Sequence, residues 1–177
     1  MIGEPLQSNS AAALPLVSIV IPVYNQAVYI DEAIQSVLAQ DYPEIELIVL
    51  NDGSTDETED VLRKYNGQLY WETQKNMGQA ATLNKGWQMA KGDILAYLSA
   101  DDFLLPGAVS ASVRLLADNP DAVLSYCDFN LVDEKSNTLS VRVTPDFDYE
   151  QMVVQIICMP GPGVFFRRSA FEKAGLW

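Results

Sequence analysis

Asp101 and Asp102 stand side by side directly after the apolar run Ile94-Leu95-Ala96-Tyr97-Leu98. Polar groups recur after three earlier apolar runs: Tyr24-Asn25 after 17–23, Asn51-Asp52 after 45–50, and Asn76 to Gly78 after 69–71. Aspartate on a loop suits Mg²⁺ or Mn²⁺, which take few protein oxygens and share the rest with phosphate and water. Tyr24 offers an aromatic face to a nucleobase, and Asp52 offers an acceptor to an imide or amide N–H. Each group alone reads as a turn former or a helix cap. Four in register on one edge of a sheet point to a shared pocket, because open α/β sheets bind ligands beyond the carboxyl ends of their strands.

The elements that must position these groups follow a regular alternation. Val17–Val23 reads as a buried strand, and Ile30, Ile34, Val37 and Leu38 follow at helical spacing. Ile45–Leu50 is a second strand. Ser54-Thr55-Asp56-Glu57 matches a capping box, so Asn51-Asp52-Gly53 is a strand-to-helix loop and not a hairpin. Leu69–Trp71 is a third strand. Ala80, Leu83, Trp87 and Ala90 form the face of a third helix, and Ile94–Leu98 is a fourth strand. Pro106 suits the first turn of a helix carrying Val109, Val113 and Leu116, and 122–126 is a fifth strand. Strands alternating with helices imply an α/β fold with a mostly parallel sheet covered on both faces. After residue 128 the rhythm changes to a β-hairpin around Lys135-Ser136-Asn137, a helix over 148–157, a stiff Pro160-Gly161-Pro162-Gly163 loop and a strand over 164–166.

Composition narrows the chemistry. The chain of 177 residues is 49% hydrophobic and 20% charged, enough for one domain with a real core. Its formal charge of −13 argues against nucleic acid, whose backbone needs clustered Lys and Arg. There is no histidine, which removes imidazole-based hydrolase relays and the common zinc sites. Cys127 and Cys158 match no metal-ligand spacing and read as buried thiols in a reducing, cytoplasmic compartment. No apolar run is long enough to span a membrane. Residues 1–14 read as a loose leader without signal-peptide character. Neither GxGxxG after the first strand nor GxxxxGK[ST] occurs, and no Lys or Arg sits at the strand ends. A phosphorylated ligand would therefore need a metal to offset its charge.

The segments VSIVIPVYN (17–25), LIVLNDGSTD (47–56), KNMGQAATLNKG (75–86) and KGDILAYLSADD (91–102) resemble the four successive signatures of family 2 glycosyltransferases with the GT-A fold. The resemblance is close over residues 17 to 106 and looser through 160–177. It implies a nucleotide-diphosphate-sugar donor, with UDP first among UDP, GDP and dTDP. It implies that Pro22 and Tyr24 line the base and ribose, with Asn25 beside them, and that Asp52 accepts from the base N–H. Gly78 and Asn84 would lie in the segment that closes over the nucleotide. Ser99-Ala100-Asp101 occupies the place of the family's DxD motif. Asp101 is then the ligand of Mn²⁺ or Mg²⁺, Ala100 the spacer, and Ser99 stands where many members carry a first aspartate. Asp102 either stands behind the metal ligand or caps the next helix.

The reaction so implied is displacement at the anomeric carbon, inverting, with a metal-held diphosphate leaving and a carboxylate deprotonating an acceptor hydroxyl. The acceptor would be a glycan or a lipid-linked molecule, at the cytoplasmic face of a membrane or in the cytoplasm. In the family the base is an aspartate downstream of the segment resembling GVFFRRSAFEKAGLW, which places it beyond Trp177. Asp128, Asp146 and Asp148 are available carboxylates that nothing in the pattern places at an acceptor. The expectation is therefore a donor-binding half of a GT-A domain over 15–177, truncated after it, with weak nucleotide binding and little turnover. A half-domain would expose apolar surface and favour self-association. The alternatives are a nucleotide-sugar-binding module without turnover, a nucleotidyltransferase on a related sheet, and an interaction domain whose strand ends are only capped loops.

Overall fold

A computed structural model describes residues 13–155 and 163–177. Most of the expected leader, the end of the helix expected over 148–157, Cys158 and most of the proline-glycine loop lie outside the described residues.

The central sheet has six strands in the order β3-β2-β1-β4-β8-β5. β1 (Val17–Val23) pairs in parallel with β2 (Ile45–Asn51) and with β4 (Ile94–Tyr97), and β2 pairs in parallel with β3 (Tyr70–Thr73). β8 (Phe165–Arg167) runs antiparallel between β4 and β5 (Leu124–Ser125). The sheet is thus mixed and mostly parallel. β6 (Phe129–Val132) and β7 (Thr138–Arg142) form the separate antiparallel hairpin expected after residue 128. Asp133 Oδ1 accepts from the Lys135 and Asn137 N–H groups and holds its turn, while the Ser136 hydroxyl donates to Glu32 at 2.8 Å and ties the hairpin to the body.

β1 is apolar at every position but Ser18 because both of its faces are covered. Val17, Ile19, Ile21 and Val23 face a core made with Ile30, Ala33, Ile34 and Val37 of α1 (Ile30–Leu38), Leu62 of α2 (Thr58–Arg63) and Val109, Val113 and Leu116 of α4 (Ala108–Asp118). Val20 faces the other way, into a core with Ile48, Leu50, Leu95, and Leu83 and Trp87 of α3 (Gln79–Met89). α3 approaches β1 so closely that a Cβ on Gly86 would overlap Val20 Cγ1. Phe166 and Phe171 meet Trp87 edge-on from β8 and α6 (Arg168–Ala174) and extend this second layer. α5 spans Tyr149–Gln155.

Three local expectations are corrected. The Ser54/Glu57 capping box does not form: α2 starts at Thr58, whose N–H and hydroxyl both bond Asp56 Oδ1, while the Ser54 hydroxyl accepts from Asn25 N–H. Pro106 precedes α4 instead of opening it, because Gly107, at φ 83°, turns the chain into a helix that starts at Ala108. Cys127 is exposed, not buried.

Candidate functional site

The carboxyl ends of β1, β2 and β4 and the loop from β3 to α3 meet around one cavity of about 590 Å³. Pro22, Val23, Tyr24 and Gln26 line it from the β1 side, and Asp52 from the end of β2. Asn76, Gly78 and Gln79 come from the entry to α3, and Ser99, Ala100 and Asp101 from the loop after β4. Seven of the sequence-selected binding residues are brought together here: Pro22, Tyr24, Asp52, Gly78, Ser99, Ala100 and Asp101.

Asn25 and Asn84 do not line it, and each has a structural reason. Asn25 adopts φ 53°, a conformation asparagine tolerates, and its Oδ1 accepts from Thr55 N–H at 2.8 Å, fastening the β1 loop to the β2 loop. Asn84 grips the backbone of Trp177 with both ends of its amide, at 2.8 and 2.9 Å. Gln26 and Gln79 also line the cavity, and no sequence motif points to them. Their only sequence signal is adjacency, Gln26 to Tyr24-Asn25 and Gln79 to Gly78.

Asp52 is buried, with 4% of its surface exposed, yet its carboxylate borders the cavity. Oδ1 accepts from Met77 N–H at 2.8 Å and from the Gln74 side-chain amide at 2.9 Å, and Oδ2 accepts from Gly78 N–H at 2.9 Å. Burial pushes this carboxyl upward, but the bonds from Gln74, Met77, Thr82 and Gly78 prevail and hold it below the usual range. It is therefore an ionised acceptor. The loop that supplies two of these donors is seated by Gly53, at φ 76°, where a Cβ would stand 2.9 Å from Asn76 N.

Asp101 is exposed and Asp102 half-buried. Burial and the neighbouring Asp101 charge raise the Asp102 carboxyl, while the Ser99 side chain, hydrogen-bonded to it, pulls the other way. Asp102 does not cap α4, which begins six residues later with no side-chain cap bond. Among the described residues no group of three or more His, Cys, Asp or Glu could hold a metal alone. Asp101 is the exposed carboxylate of the cavity that could hold a hard cation, one that completes its shell with phosphate oxygens and water.

Asp101 also borders a second, largely apolar cavity of about 300 Å³ between the loop after β4 and the hairpin, walled by Phe103, Leu104, Phe129 and Val132, with Asp102 and Asp128 on its lining. Asp128 accepts from Thr144 N–H at 2.8 Å, and Asp148 accepts from Gln151 N–H at 2.9 Å at the start of α5. The pair Arg167-Arg168 donates to backbone carbonyls of Leu116, Ala122, Ala90 and Gly92, so it serves the fold.

The family model for glycosyl transferase family 2 matches residues 18–175. The chain belongs to this family. It is 41% identical over 172 residues to an uncharacterised glycosyltransferase of Rickettsia typhi, covering 92% of this chain and 54% of that protein. It is 29% identical over 159 residues to chondroitin synthase of Escherichia coli, covering 88% of this chain and 23% of that enzyme. Its fold is that of S. aureus TarS 1-349 in complex with UDP-GlcNAc, with a TM-score of 0.70 at 21% identity, covering 90% of this chain and 47% of that one. A mannosyltransferase of Pyrobaculum calidifontis in complex with GDP-Man and Mn²⁺ superposes with a TM-score of 0.67 at 22% identity over 98% of this chain and 51% of that one. The GT-A architecture follows from these likenesses. The glycosyltransferase family chain spans about half the length of the first relatives it matches. No described helix is long and apolar enough to cross a membrane.

Proposed function

We propose that this chain binds the donor of an inverting glycosyl transfer, a nucleotide-diphosphate sugar with UDP as the first candidate. The observation that carries the reading is the single cavity with an ionised acceptor, Asp52, at one wall and a solvent-facing carboxylate, Asp101, at another. Tyr24, half exposed on the cavity, supplies a stacking face for the base, and Asp52 takes its ring N–H. Asp101 would hold a Mg²⁺ or Mn²⁺, with Ser99 bonding a ribose hydroxyl or a metal-bound water. When bound, such a metal offsets negative charge on the departing diphosphate. The apolar cavity beyond Asp101 suits an acceptor with an apolar portion, such as a lipid-linked glycan, at the cytoplasmic face of a membrane. The bound nucleotide sugars of the two solved relatives support this donor class.

A second reading, donor binding without turnover, has its own observation. Among the described residues, the carboxylates on the donor cavity are Asp52 and Asp101, one committed to the loop and one to the diphosphate end. Neither is available as a base on the acceptor side, where the carboxylates are Asp102 and Asp128 on the lining of the apolar cavity. Calorimetric titration with UDP, GDP and dTDP, with and without Mn²⁺, tests the shared part. Metal-dependent binding of one nucleotide, abolished by Asp101→Ala, is expected, and absence of binding by all three sinks both readings. Sugar transfer to an added acceptor by this chain would exclude the second.

A further inference from the structure

Behind Asp52 lies a chain of polar contacts that no part of the donor cavity contains. Lys85 of α3 sits against Glu72 of β3 and donates to Gln74 Oε1 at 2.9 Å. The other end of the same amide, Gln74 Nε2, donates to Asp52 Oδ1 at 2.9 Å and to the Thr82 hydroxyl at 2.8 Å. The order is Glu72, Lys85, Gln74, Asp52, with charges of opposite sign joined through one amide.

The chemistry leaves that amide a single orientation. A lysine ammonium carries donors only, and an ionised carboxylate carries acceptors only. Flipping Gln74 would face its NH₂ to the ammonium and its oxygen to the carboxylate, two repulsions in place of two bonds. An ordinary half-exposed Lys–Glu pair is worth little on its own. This one differs because it ends, through Gln74, on a buried carboxylate at the cavity wall.

We propose that Gln74 and Lys85 are positioning residues that fix the direction in which Asp52 meets the nucleotide base. Oδ1 accepts two bonds, from Gln74 and Met77, and Oδ2 accepts one, from Gly78, so the acceptor capacity left for a ligand N–H is on Oδ2. A carboxylate held in one orientation, and held ionised, favours a base that presents a ring N–H over one that presents a lone pair there. Uracil is then preferred to cytosine through residues that touch neither. The inference about the base rests on the donor reading above, while the contact chain itself does not.

The test separates the two. Asp52 carboxyl titration is followed by ¹³C NMR in the parent chain, Gln74→Leu, Lys85→Met and Lys85→Arg, without nucleotide. UDP and CDP affinities are measured on the same proteins, with thermal melts to establish folding. The expected result is a higher Asp52 midpoint in Gln74→Leu, a smaller rise in Lys85→Met and recovery in Lys85→Arg. UDP binding should weaken roughly tenfold in Gln74→Leu, with a narrowed preference over CDP. An unchanged Asp52 midpoint in both folded variants overturns the proposal, whatever the nucleotide data show. Failure of the parent to bind any nucleotide would instead sink the donor reading and leave the titration to judge the contact chain.

Discussion

Asp52 accepts the Gly78 N–H at 2.9 Å, so the end of β2 and the entry to α3 share one anchor. Replacing the acceptor-only carboxylate by an amide sets a donor against donors. Asp52→Asn should cost about 1–3 kcal/mol of stability and abolish preferential UDP binding. The sign of the pH effect follows from the lowered carboxyl. Its bonds stabilise the fold fully above the unfolded value of about 3.9, and that contribution disappears as pH falls through the lower folded value. Urea midpoints measured from neutral pH into the acid range should fall more steeply for the parent than for Asp52→Asn.

In the proposed metal site Ser99 contributes a hydroxyl where a carboxylate would add negative charge. Ser99→Asp should tighten Mn²⁺-dependent UDP binding, by roughly tenfold, because hard cations respond to ligand charge. In chelator the same variant should melt lower than the parent, since a third negative charge joins Asp101 and Asp102. Calorimetry and thermal melts with and without metal check both halves.

Gly86 is the contact point between α3 and β1. An added methyl must displace Val20, which is fully buried. Gly86→Ala should lose about 1–3 kcal/mol through overpacking, despite the better helix propensity of alanine. Equilibrium denaturation gives the difference. A stabilised Gly86→Ala would mean that Val20 can repack.

The Asn84 amide holds the Trp177 backbone in both directions, across 93 residues. Asn84→Ala should release residues 175–177 from α3, read as faster amide exchange there and altered near-ultraviolet circular dichroism from the Trp87–Trp177 pair. The stability cost should stay near about 1 kcal/mol, because both bonds are exposed.

What could be read from the sequence follows from burial. β1 and β2 are covered on both faces and therefore are apolar apart from the hydrogen-bonded pair Ser18 and Glu46 and the terminal Asn51, and the polar groups after them mark the cavity edge. The hairpin announced itself through Lys135-Ser136-Asn137. Features that depend on distant partners did not. Ser54 and Glu57 satisfy the local rule for a cap, yet a backbone N–H from another loop claims the Ser54 hydroxyl. Asn84 lies in the expected segment, but its partner is 93 residues away. Gln74 and Lys85 carry no signature at all, because each acquires meaning only through the other and through Asp52. β8 is three residues long, and nothing in Phe165–Arg167 says that it enters the sheet antiparallel between two other strands.

That insertion has a consequence for the order of assembly. Among the described residues β5 is seated in the sheet only through β8, and β8 is synthesised about 40 residues after it. The four parallel strands can zip up as the chain emerges, but the flank of β4 stays unpaired until residues 165–167 arrive. Such late, non-local closure slows folding and leaves a strand edge open to other chains meanwhile. Nascent chains stopped before Val164 should therefore need a holding chaperone that the longer chain can release.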